Sequence, residues 1–323
     1  MQMLHFRVPT SCNGMRLNIF LRTMGVSSAC IKAVKYQGTG FCVRHYVCKV
    51  CDTDMGDEVI PVHTDYRVAT AQIVSFALPP EPPTDVQPEP LPIDVIYEDE
   101  FAAVLNKPAG IAVHPTLNHT SGTLANGWLY RLKCRGEDGV FRPVNRIDKN
   151  TSGLVLCAQN AFAAPELAKT AQKCYLALVE GPLPVGPGRI DVPIARRGDS
   201  IIGRCVREDG KPSVTEYTVL AASASHALVS CFPVTGRTHQ IRVHFSWLGH
   251  PLAGDSLYGG HTDIIARHAL HCAVLRFNRP ADHEPRRVQS PLPEDFLAAC
   301  CAAYLPDKEE IQTMLQSVLP CAE

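Results

Sequence analysis

The sequence predicts an α+β protein, in which a large domain with a largely antiparallel mixed sheet flanked by helices follows a small N-terminal α+β module. Short strand-like and helix-like segments follow one another without regular alternation, which is typical of this class. The chain of 323 residues is longer than one typical domain. A proline-rich segment, residues 79–92, can form neither helix nor central strand. We therefore expect a module at residues 1–78 and a large domain at 93–323, kept apart by an extended connector.

Composition excludes several classes of protein. Hydrophobic residues make up 46% and charged residues 20% of the chain, which is ordinary for a globular protein and too apolar for a disordered one. The longest apolar runs, such as residues 219–224, are too short to cross a bilayer. Residues 1–7 lack the apolar core of a signal peptide. We therefore expect a cytoplasmic monomer with no membrane contact.

Net charge and cysteine content bound the possible partners. The net charge is −1, from 31 basic and 32 acidic residues, so any basic binding surface must be local. The 14 cysteines are scattered along the chain, and we expect reduced thiols. Cys48 and Cys51 have half of a zinc-site spacing, but a tetrahedral site needs four ligands, and Cys42, His45 and His63 are the nearby candidates. We expect no metal site here.

The N-terminal module shows two helical segments and a pair of strands. Residues 15–22 have apolar side chains at helical spacing, and a serine in residues 26–32 is a suitable N-cap for a second helix. Residues 41–44 and 46–48 have strand-like composition. The two helices carry the basic residues Arg16, Arg22, Lys32 and Lys35.

The large domain begins with two apolar runs, residues 93–97 and 101–106, which predict a hairpin. The three acidic residues between them are interpreted as a solvated turn and not as a catalytic cluster. Periodicity and composition predict further helices at residues 161–172, 237–248 and 309–319, and further strands at 174–179, 214–220 and 227–232.

A polar loop at residues 142–154 is the strongest candidate for an active site. Two arginines, Arg142 and Arg146, lie close to Asp148 in it, and a Thr-Ser-Gly turn precedes the strand that follows. Functional residues concentrate in loops. An aspartate beside an arginine is nevertheless most often a surface ion pair. From the residues alone, both interpretations of Asp148 stay open.

Five segments resemble, in order, the motifs of the RluA-type pseudouridine synthases. They are KPAGIAVHP at 107–115, RIDKNTSGL at 146–154, KCYLALVEG at 173–181, TGRTHQIRVH at 235–244 with its continuation to 259, and RHALH at 267–271. Five matches in family order, over about residues 93–280, make coincidence implausible. The main departure is Asn145, where the commoner motif has histidine.

The resemblance implies an isomerase that converts uridine in RNA into pseudouridine. Asp148 would be the catalytic carboxylate, Arg237 the cation that offsets its desolvation, and Tyr175 a ring that stacks on the base or takes the proton from its C5. Arg146 would fill the space left by the flipped-out base. Matching motifs assign further substrate-binding positions to Asn145, Lys107, Thr151, His239 and Ile241, with Ile241 or Val243 as an apolar wall. A purely structural tyrosine in the core is the alternative at Tyr175.

Pseudouridine formation breaks an N-glycosidic bond, rotates the base and forms a carbon–carbon bond. Nothing is oxidised in this reaction, so we expect no cofactor and no metal. Asp148 can attack the base or the sugar, or promote an elimination, and the sequence does not choose among these routes. Two other functions stay open: a glycosidic-bond hydrolase with Asp255 as a second carboxylate about 5–10 Å away, and a non-catalytic RNA-binding protein.

The N-terminal module resembles the αL-type RNA-binding module of ribosomal proteins and many pseudouridine synthases. The resemblance rests on residues 16–17, 26–28 and 56–59. It implies that the basic residues of the two helices contact RNA phosphates, although a solvated surface is the alternative. The same architecture resembles synthases of large-subunit ribosomal RNA, so ribosomal RNA is the preferred partner and tRNA the alternative.

Overall fold

The computed structural model describes residues 3–44, 59–80, 84–116, 120–280, 282–316 and 318. The helices in these ranges are α1 (Leu17–Thr23), α2 (Ser28–Gln37), α3 (Leu124–Cys134), α4 (Ala163–Thr170), α5 (Gln240–Trp247), α6 (Glu294–Ala302) and α7 (Lys308–Gln316), with a 3₁₀ turn at Thr10–Cys12. The strands are β1 (Met3–Arg7), β2 (Phe41–Arg44), β3 (Val59–Val62), β4 (Ile73–Ala77), β5 (Asp94–Glu98), β6 (Ala102–Lys107), β7 (Ser152–Ala158), β8 (Gln172–Glu180), β9 (Gly186–Asp191), β10 (Ile194–Arg196), β11 (Arg204–Val206), β12 (Val214–Ala222), β13 (His226–Pro233), β14 (Leu270–Asn278) and β15 (Pro285–Gln289).

The large domain is built on one mixed sheet. Its strands run in the order β5-β6-β7-β14-β8-β13-β12-β9, and β15 pairs with the second half of β14. Neighbouring strands are antiparallel, except that β7 and β14 are parallel. The predicted α+β class with a largely antiparallel mixed sheet is therefore confirmed.

Both faces of the sheet are buried, as the alternating side chains of β8 show. Tyr175, Ala177 and Val179 belong to one apolar core, which also contains buried residues of α3, α4 and α5. Leu176 and Leu178 belong to a second core with buried residues of α6 and α7. Tyr175 thus lies on the face of the sheet that α5 covers.

The parallel pair β7–β14 determines where the polar loop ends. Gly153 on β7 is paired with Cys272 on β14. Gly153 has a φ of 104°, and a Cβ atom there would lie 2.3 Å from the Cys272 carbonyl oxygen. Only glycine permits this positive φ together with so close an approach to β14. Gly153 therefore allows the end of the polar loop to lie directly against β14, in the middle of the sheet.

The N-terminal module contains an antiparallel sheet of order β1-β4-β2-β3 and the helices α1 and α2. The Ser27 hydroxyl accepts a hydrogen bond from the Cys30 backbone N–H at 3.1 Å, as expected of an N-cap. The predicted strand at 46–48, the motif residues 56–58, and Cys48 and Cys51 lie outside the described residues.

The module and the large domain are in contact, so the expectation that the connector keeps them apart was wrong. The Phe6 ring of β1 packs edge-on against Phe162, with ring centroids 5.6 Å apart. Residues 84–92 of the connector form neither helix nor strand and are tied to α3: the Asn126 side-chain amide donates to the Gln87 carbonyl oxygen at 2.8 Å, and the Glu89 N–H donates to the Asn126 carbonyl oxygen at 3.0 Å. Within the described ranges, no helix has the length and apolar character needed to cross a membrane.

Candidate active site

Asp148 lies in the middle of the polar loop, with 26% of its side chain exposed. Its Oδ2 atom accepts a hydrogen bond from Nη1 of Arg242, on α5, at 2.9 Å. The same guanidinium donates from Nε and Nη2 to the two oxygens of Asp255, at 2.7 and 2.9 Å. Asp255 is 2% exposed and Arg242 is 5% exposed. One arginine therefore joins an accessible carboxylate to a buried one.

Arg242 is held as a permanent cation between these carboxylates. Burial opposes its charge, but the hydrogen bonds and charge of Asp255, and then of Asp148, raise the pKa of Arg242 above its ordinary value. A planar guanidinium can bind one carboxylate with two parallel bonds and still reach a second one. The arrangement offers Asp148 a fixed and buried positive partner.

Arg237 does not make the ion pair that was predicted for it. Its side chain is exposed, and its Nε atom donates to the Pro212 carbonyl oxygen at 3.2 Å. Helix α5 begins at Gln240, and the Gln240 side-chain oxygen accepts a hydrogen bond from the Arg237 backbone N–H at 3.0 Å. Arg237 therefore lies in the loop before the helix, and the ion pair with Asp148 is made by Arg242.

A signal for Arg242 was present in the sequence. It lies between Ile241 and Val243 in a helix whose described residues from 240 to 245 are all buried. A charged residue in such a stretch needs a buried partner of opposite charge. This criterion separates Arg242 from Arg237, which no apolar neighbours enclose in the sequence.

The His239 ring lies between Asp148 and Tyr258. Its Nε2 atom is 3.8 Å from Asp148 Oδ2, and its Nδ1 atom is 2.7 Å from the Tyr258 hydroxyl. Burial lowers the pKa of His239, Asp148 opposes this, and Arg242 lowers it further. The ring is therefore neutral at pH 7, and it faces the candidate catalytic carboxylate.

Tyr175 and Asn145 are linked beneath the loop. Tyr175 is 8% exposed, and Asn145 and Cys272 are close enough to its hydroxyl to act on its pKa. The Asn145 amide donates to the Leu154 carbonyl oxygen at 3.2 Å and accepts from the Leu156 N–H at 2.7 Å. Asn145 is 7% exposed. The amide that replaces the commoner histidine thus ties the loop to β7 and contacts Tyr175.

Tyr175 keeps its proton in this environment. Burial raises the pKa of Tyr175 well above its ordinary value, and the Cys272 thiol and the charge of Asp148 act in the same direction. A phenol with a raised pKa is a weak proton acceptor at neutral pH. Tyr175 is therefore better suited to packing against a base than to removing a proton from it.

Lys107 was predicted to bind substrate, but its side chain is completely buried. Its Nζ atom donates to the carbonyl oxygens of Pro108, Ile111 and Lys149, at 2.7, 2.9 and 2.9 Å. Lys149 follows Asp148 directly in the loop. Lys107 therefore supports the loop from below, a burial that a motif position does not reveal, and its contact with substrate stays a prediction.

Thr151 is a second buried support of the loop, and its contact with substrate stays a prediction. It is 1% exposed, and its hydroxyl hydrogen-bonds with Nε2 of His268 at 2.8 Å. Its backbone N–H donates to the Asp148 carbonyl oxygen at 3.1 Å. The loop is therefore held at both ends of the turn that carries Asp148.

The burial of Lys107 predicts a pH dependence of stability. Burial lowers the pKa of Lys107 to about 7, Arg267 lowers it further and Asp148 opposes both effects. An unfolded lysine has a pKa of about 10.4, so the unfolded chain binds more protons between these values. The free energy of unfolding should therefore rise with pH across this window, by up to about 1.4 kcal/mol per pH unit from this group. Urea unfolding at pH 7, 8 and 9 measures this pH dependence of the free energy of unfolding.

The matched variants for this experiment are Lys107→Met and Lys133→Met, the second at an exposed position on α3. Lys107→Met should lose this part of the pH dependence, whereas Lys133→Met should keep it. Equal pH slopes in the wild type and Lys107→Met would contradict the burial of a titrating ammonium.

The remaining predicted site residues lie around the loop. Arg146 is exposed two residues before Asp148, and it lowers the pKa of His114, whose burial is the larger cause. Ile241 is 5% exposed and belongs to the same core as Tyr175, whereas Val243 belongs to a separate cluster. Of the two candidates for an apolar wall, Ile241 is therefore the one on the Tyr175 side. In the described ranges, no group of His, Cys, Asp or Glu side chains is arranged to hold a metal ion.

Comparisons with known proteins agree with this geometry. A family model described as RNA pseudouridylate synthase matches residues 102–247. The chain is 41% identical over 244 residues to the "Uncharacterized RNA pseudouridine synthase YlyB" of Bacillus subtilis, covering 73% of this chain and 80% of that protein. It is 39% identical over 238 residues to the "Ribosomal large subunit pseudouridine synthase D" of Xanthomonas campestris, covering 67% and 71% respectively. The solved structure of "Human RNA Pseudouridylate Synthase Domain Containing 1" has a TM-score of 0.55 and 28% identity, over 75% of this chain and all of that one.

The mixed sheet, the loop carboxylate and these matches define an isomerase class, the enzymes that convert uridine in RNA into pseudouridine. Within that class, the chain belongs to the RluA-type family of RNA pseudouridine synthases. The predicted family and enzyme class are thereby confirmed.

Proposed function

We propose that this enzyme isomerises specific uridines in large-subunit ribosomal RNA, with Asp148 as the nucleophile. One observation carries the assignment to Asp148. It is the accessible carboxylate of a pair whose other member, Asp255, is 2% exposed and fully engaged by Arg242. A nucleophile must meet its substrate, and the geometry gives that access to Asp148.

The surrounding groups support an attack by Asp148. Arg242 and His239 both approach Oδ2, which leaves Oδ1 as the oxygen for the attack as far as the described residues show. The fixed guanidinium offsets the desolvation of the carboxylate when a base closes the site. Tyr175, as a neutral phenol, packs against the base. Arg146, exposed beside the loop, contacts the phosphates near the flipped-out nucleotide.

The buried carboxylate also weighs against a hydrolase. A glycosidic-bond hydrolase needs a second carboxyl group that can activate water or protonate a leaving group. Asp255 accepts two hydrogen bonds from Arg242 and is almost inaccessible. Of these two carboxylates, Asp148 alone is therefore free to react, which suits an isomerisation in which no water is consumed.

Large-subunit ribosomal RNA is the proposed target, because relatives named "Ribosomal large subunit pseudouridine synthase D" match over about 70% of their length. The test is chemical mapping of pseudouridine in total RNA from cells with and without the gene. We expect at least one site to disappear from large-subunit ribosomal RNA. Loss of sites from tRNA alone would contradict the proposal and favour the alternative target.

The N-terminal module is proposed to hold the RNA without taking part in the chemistry. Arg16, Arg22, Lys32 and Lys35 are all exposed, on or next to α1 and α2. The Lys35 ammonium lies 4.9 Å from the centre of the Tyr36 ring, which is 73% exposed. Exposed cations beside an exposed aromatic ring suit both phosphate contact and base stacking.

The double variant Lys32→Gln/Lys35→Gln, which removes two positive charges from α2, tests this role in the full chain. We expect a raised KM with near-normal kcat, and a salt dependence of binding whose log–log slope is smaller by about 0.7–0.9 for each phosphate that the variant no longer neutralises. The matched control, Lys133→Gln/Lys308→Gln, removes the same charge from exposed positions on α3 and α7. Equal KM and salt slope in both variants would show that the module surface does not bind the substrate.

A further inference from the structure

Tyr258 lies where a hairpin of the large domain meets helix α5. Strands β10 and β11 form this hairpin, and the Arg204 backbone N–H at the start of β11 donates to the Tyr258 hydroxyl oxygen at 3.0 Å. The same oxygen is 2.7 Å from Nδ1 of His239. Tyr258 is 9% exposed. Its hydroxyl therefore has two defined neighbours in a site that is largely closed to water.

The positions of the hydrogens follow from the chemistry of these groups. A backbone N–H can only donate, so the Tyr258 oxygen is the acceptor in its bond with Arg204. Among the described residues, Nδ1 of His239 is the one acceptor within hydrogen-bond distance of this hydroxyl, so we assign the hydroxyl hydrogen to the bond with Nδ1. A neutral imidazole with an accepting Nδ1 carries its hydrogen on Nε2. That hydrogen lies on the side of the ring that faces Asp148.

We propose that Tyr258 is a positioning residue that fixes the tautomer of His239, so that an N–H group and not a lone pair faces the Asp148 carboxylate. The inference rests on the proposed role of Asp148 as the nucleophile. At 3.8 Å, the contact between Nε2 and Oδ2 is too long for a direct hydrogen bond in the free enzyme. It is short enough for the N–H dipole to attract the carboxylate, whereas the lone pair of the other tautomer would repel it.

The His239 backbone adds support to this assignment. His239 has a φ of 58° and a ψ of 19°, a left-handed conformation that is uncommon for residues other than glycine. Such a conformation persists only where the surroundings hold it, and it is frequent at functional sites. The bond to Tyr258 and the edge-on contact between the two rings, with centroids 5.6 Å apart, are among the contacts that hold it.

Tyr258 also contacts the second partner of Asp148. The Arg242 guanidinium carbon lies 4.9 Å from the centre of the Tyr258 ring. One side chain thus touches both groups that approach Asp148 Oδ2, and its hydroxyl connects them to the β10–β11 hairpin. It follows that Tyr258→Phe should keep the ring contact with Arg242 while it removes both bonds of the hydroxyl, the one that sets the His239 tautomer and the one from the Arg204 N–H.

The experiment is nitrogen-15 NMR of the histidine rings in the full-length protein, with the His239 signals assigned by their absence from His239→Asn. In the wild type, we expect a protonated Nε2 and an unprotonated Nδ1. In Tyr258→Phe, we expect a mixture of tautomers and a kcat lower by about 10–100-fold, with KM within about twofold of the wild type. Tyr217→Phe is the control, because its ring also packs on α5, edge-on to Phe245.

Two results would overturn the proposal: a wild-type His239 protonated on Nδ1, or a Tyr258→Phe variant with the wild-type tautomer and kcat. The wild-type spectrum decides the first point without any variant, so the test survives a failure of Tyr258→Phe to fold. A wild type that forms no pseudouridine in any RNA would defeat the proposed function and leave the tautomer result standing.

Discussion

Replacing Arg242 with methionine should abolish turnover and lower the free energy of unfolding by about 3–5 kcal/mol. The variant leaves Asp255, at 2% exposure, as a buried carboxylate without its two charge-assisted hydrogen bonds. It also removes the hydrogen bond to Asp148 Oδ2. Urea unfolding measures the first effect, and single-turnover kinetics on an RNA substrate measure the second.

Two further variants separate the loss of activity from the loss of stability. In Arg242→Met/Asp255→Asn the buried charge is gone, so we expect part of the stability to return while turnover stays absent. The free energy of unfolding of Arg237→Met should lie within about 0.5 kcal/mol of the wild-type value. The native Arg237 side chain is exposed, and its Nε atom donates a hydrogen bond to the Pro212 carbonyl oxygen. A stable Arg242→Met, or an Arg237→Met that is the less stable of the two, would show that the ion pair is assigned to the wrong arginine.

Replacing Asp148 with asparagine should lower kcat by at least about a thousandfold, because the amide cannot act as a nucleophile. Its oxygen can still accept the hydrogen bond from Arg242, which lies 2.9 Å from the native carboxylate. We therefore expect the free energy of unfolding to stay within about 1–2 kcal/mol of the wild type. The measurements are kcat under saturating RNA and urea unfolding of the same preparation.

Asp138→Asn is the matched control, since it makes the same chemical change at an exposed position shortly before the polar loop. It should keep wild-type turnover and stability. Turnover by Asp148→Asn at the rate of this control would exclude Asp148 as the nucleophile.

Elements with strong local patterns were predictable from the sequence. The hairpin of β5 and β6, the strands β8, β12 and β13, and the helix α5 all correspond to predicted segments, with ends shifted by a few residues. Strand β1 was missed because its partner β4 lies about 70 residues away in the chain, as the pairing of His5 with Ser75 shows. Helix α3 was missed because its apolar residues surround a glycine, Gly127, and a buried asparagine, Asn126.

The site shows a similar division between local and distant information. The motifs identified Asp148 and Tyr175 as candidates because each belongs to a short stretch with a recognisable local pattern. Asp148 lies in the loop before β7, and Tyr175 lies on β8. The ion partner was missed because the motif resemblance assigned this role to Arg237, whereas the apolar neighbours of Arg242 indicate a buried arginine. The motifs marked Lys107 and Thr151 without showing that both side chains are buried, because that depends on the complete fold, as the bond from Thr151 to His268, 117 positions away, shows.

The contact between the two parts of the chain was hidden for the same reason. Proline content predicts that the connector is neither helix nor central strand, but nothing in it shows that Gln87 and Glu89 are tied to α3. Phe6 and Phe162 are ordinary apolar residues in the sequence, and their edge-on packing depends on the complete fold. Removing the module would expose Phe162, so substitutions on its surface test its role more cleanly than truncation does.

Release of tritium from uridine labelled at C5 tests the central claim most directly. Forming the carbon–carbon bond at C5 displaces the hydrogen there, so each pseudouridine formed releases one label. With large-subunit ribosomal RNA as substrate, the wild type and Asp138→Asn should release tritium in proportion to the pseudouridine found by mapping. Asp148→Asn should release none above background. Tritium release by Asp148→Asn at the wild-type rate would contradict the account.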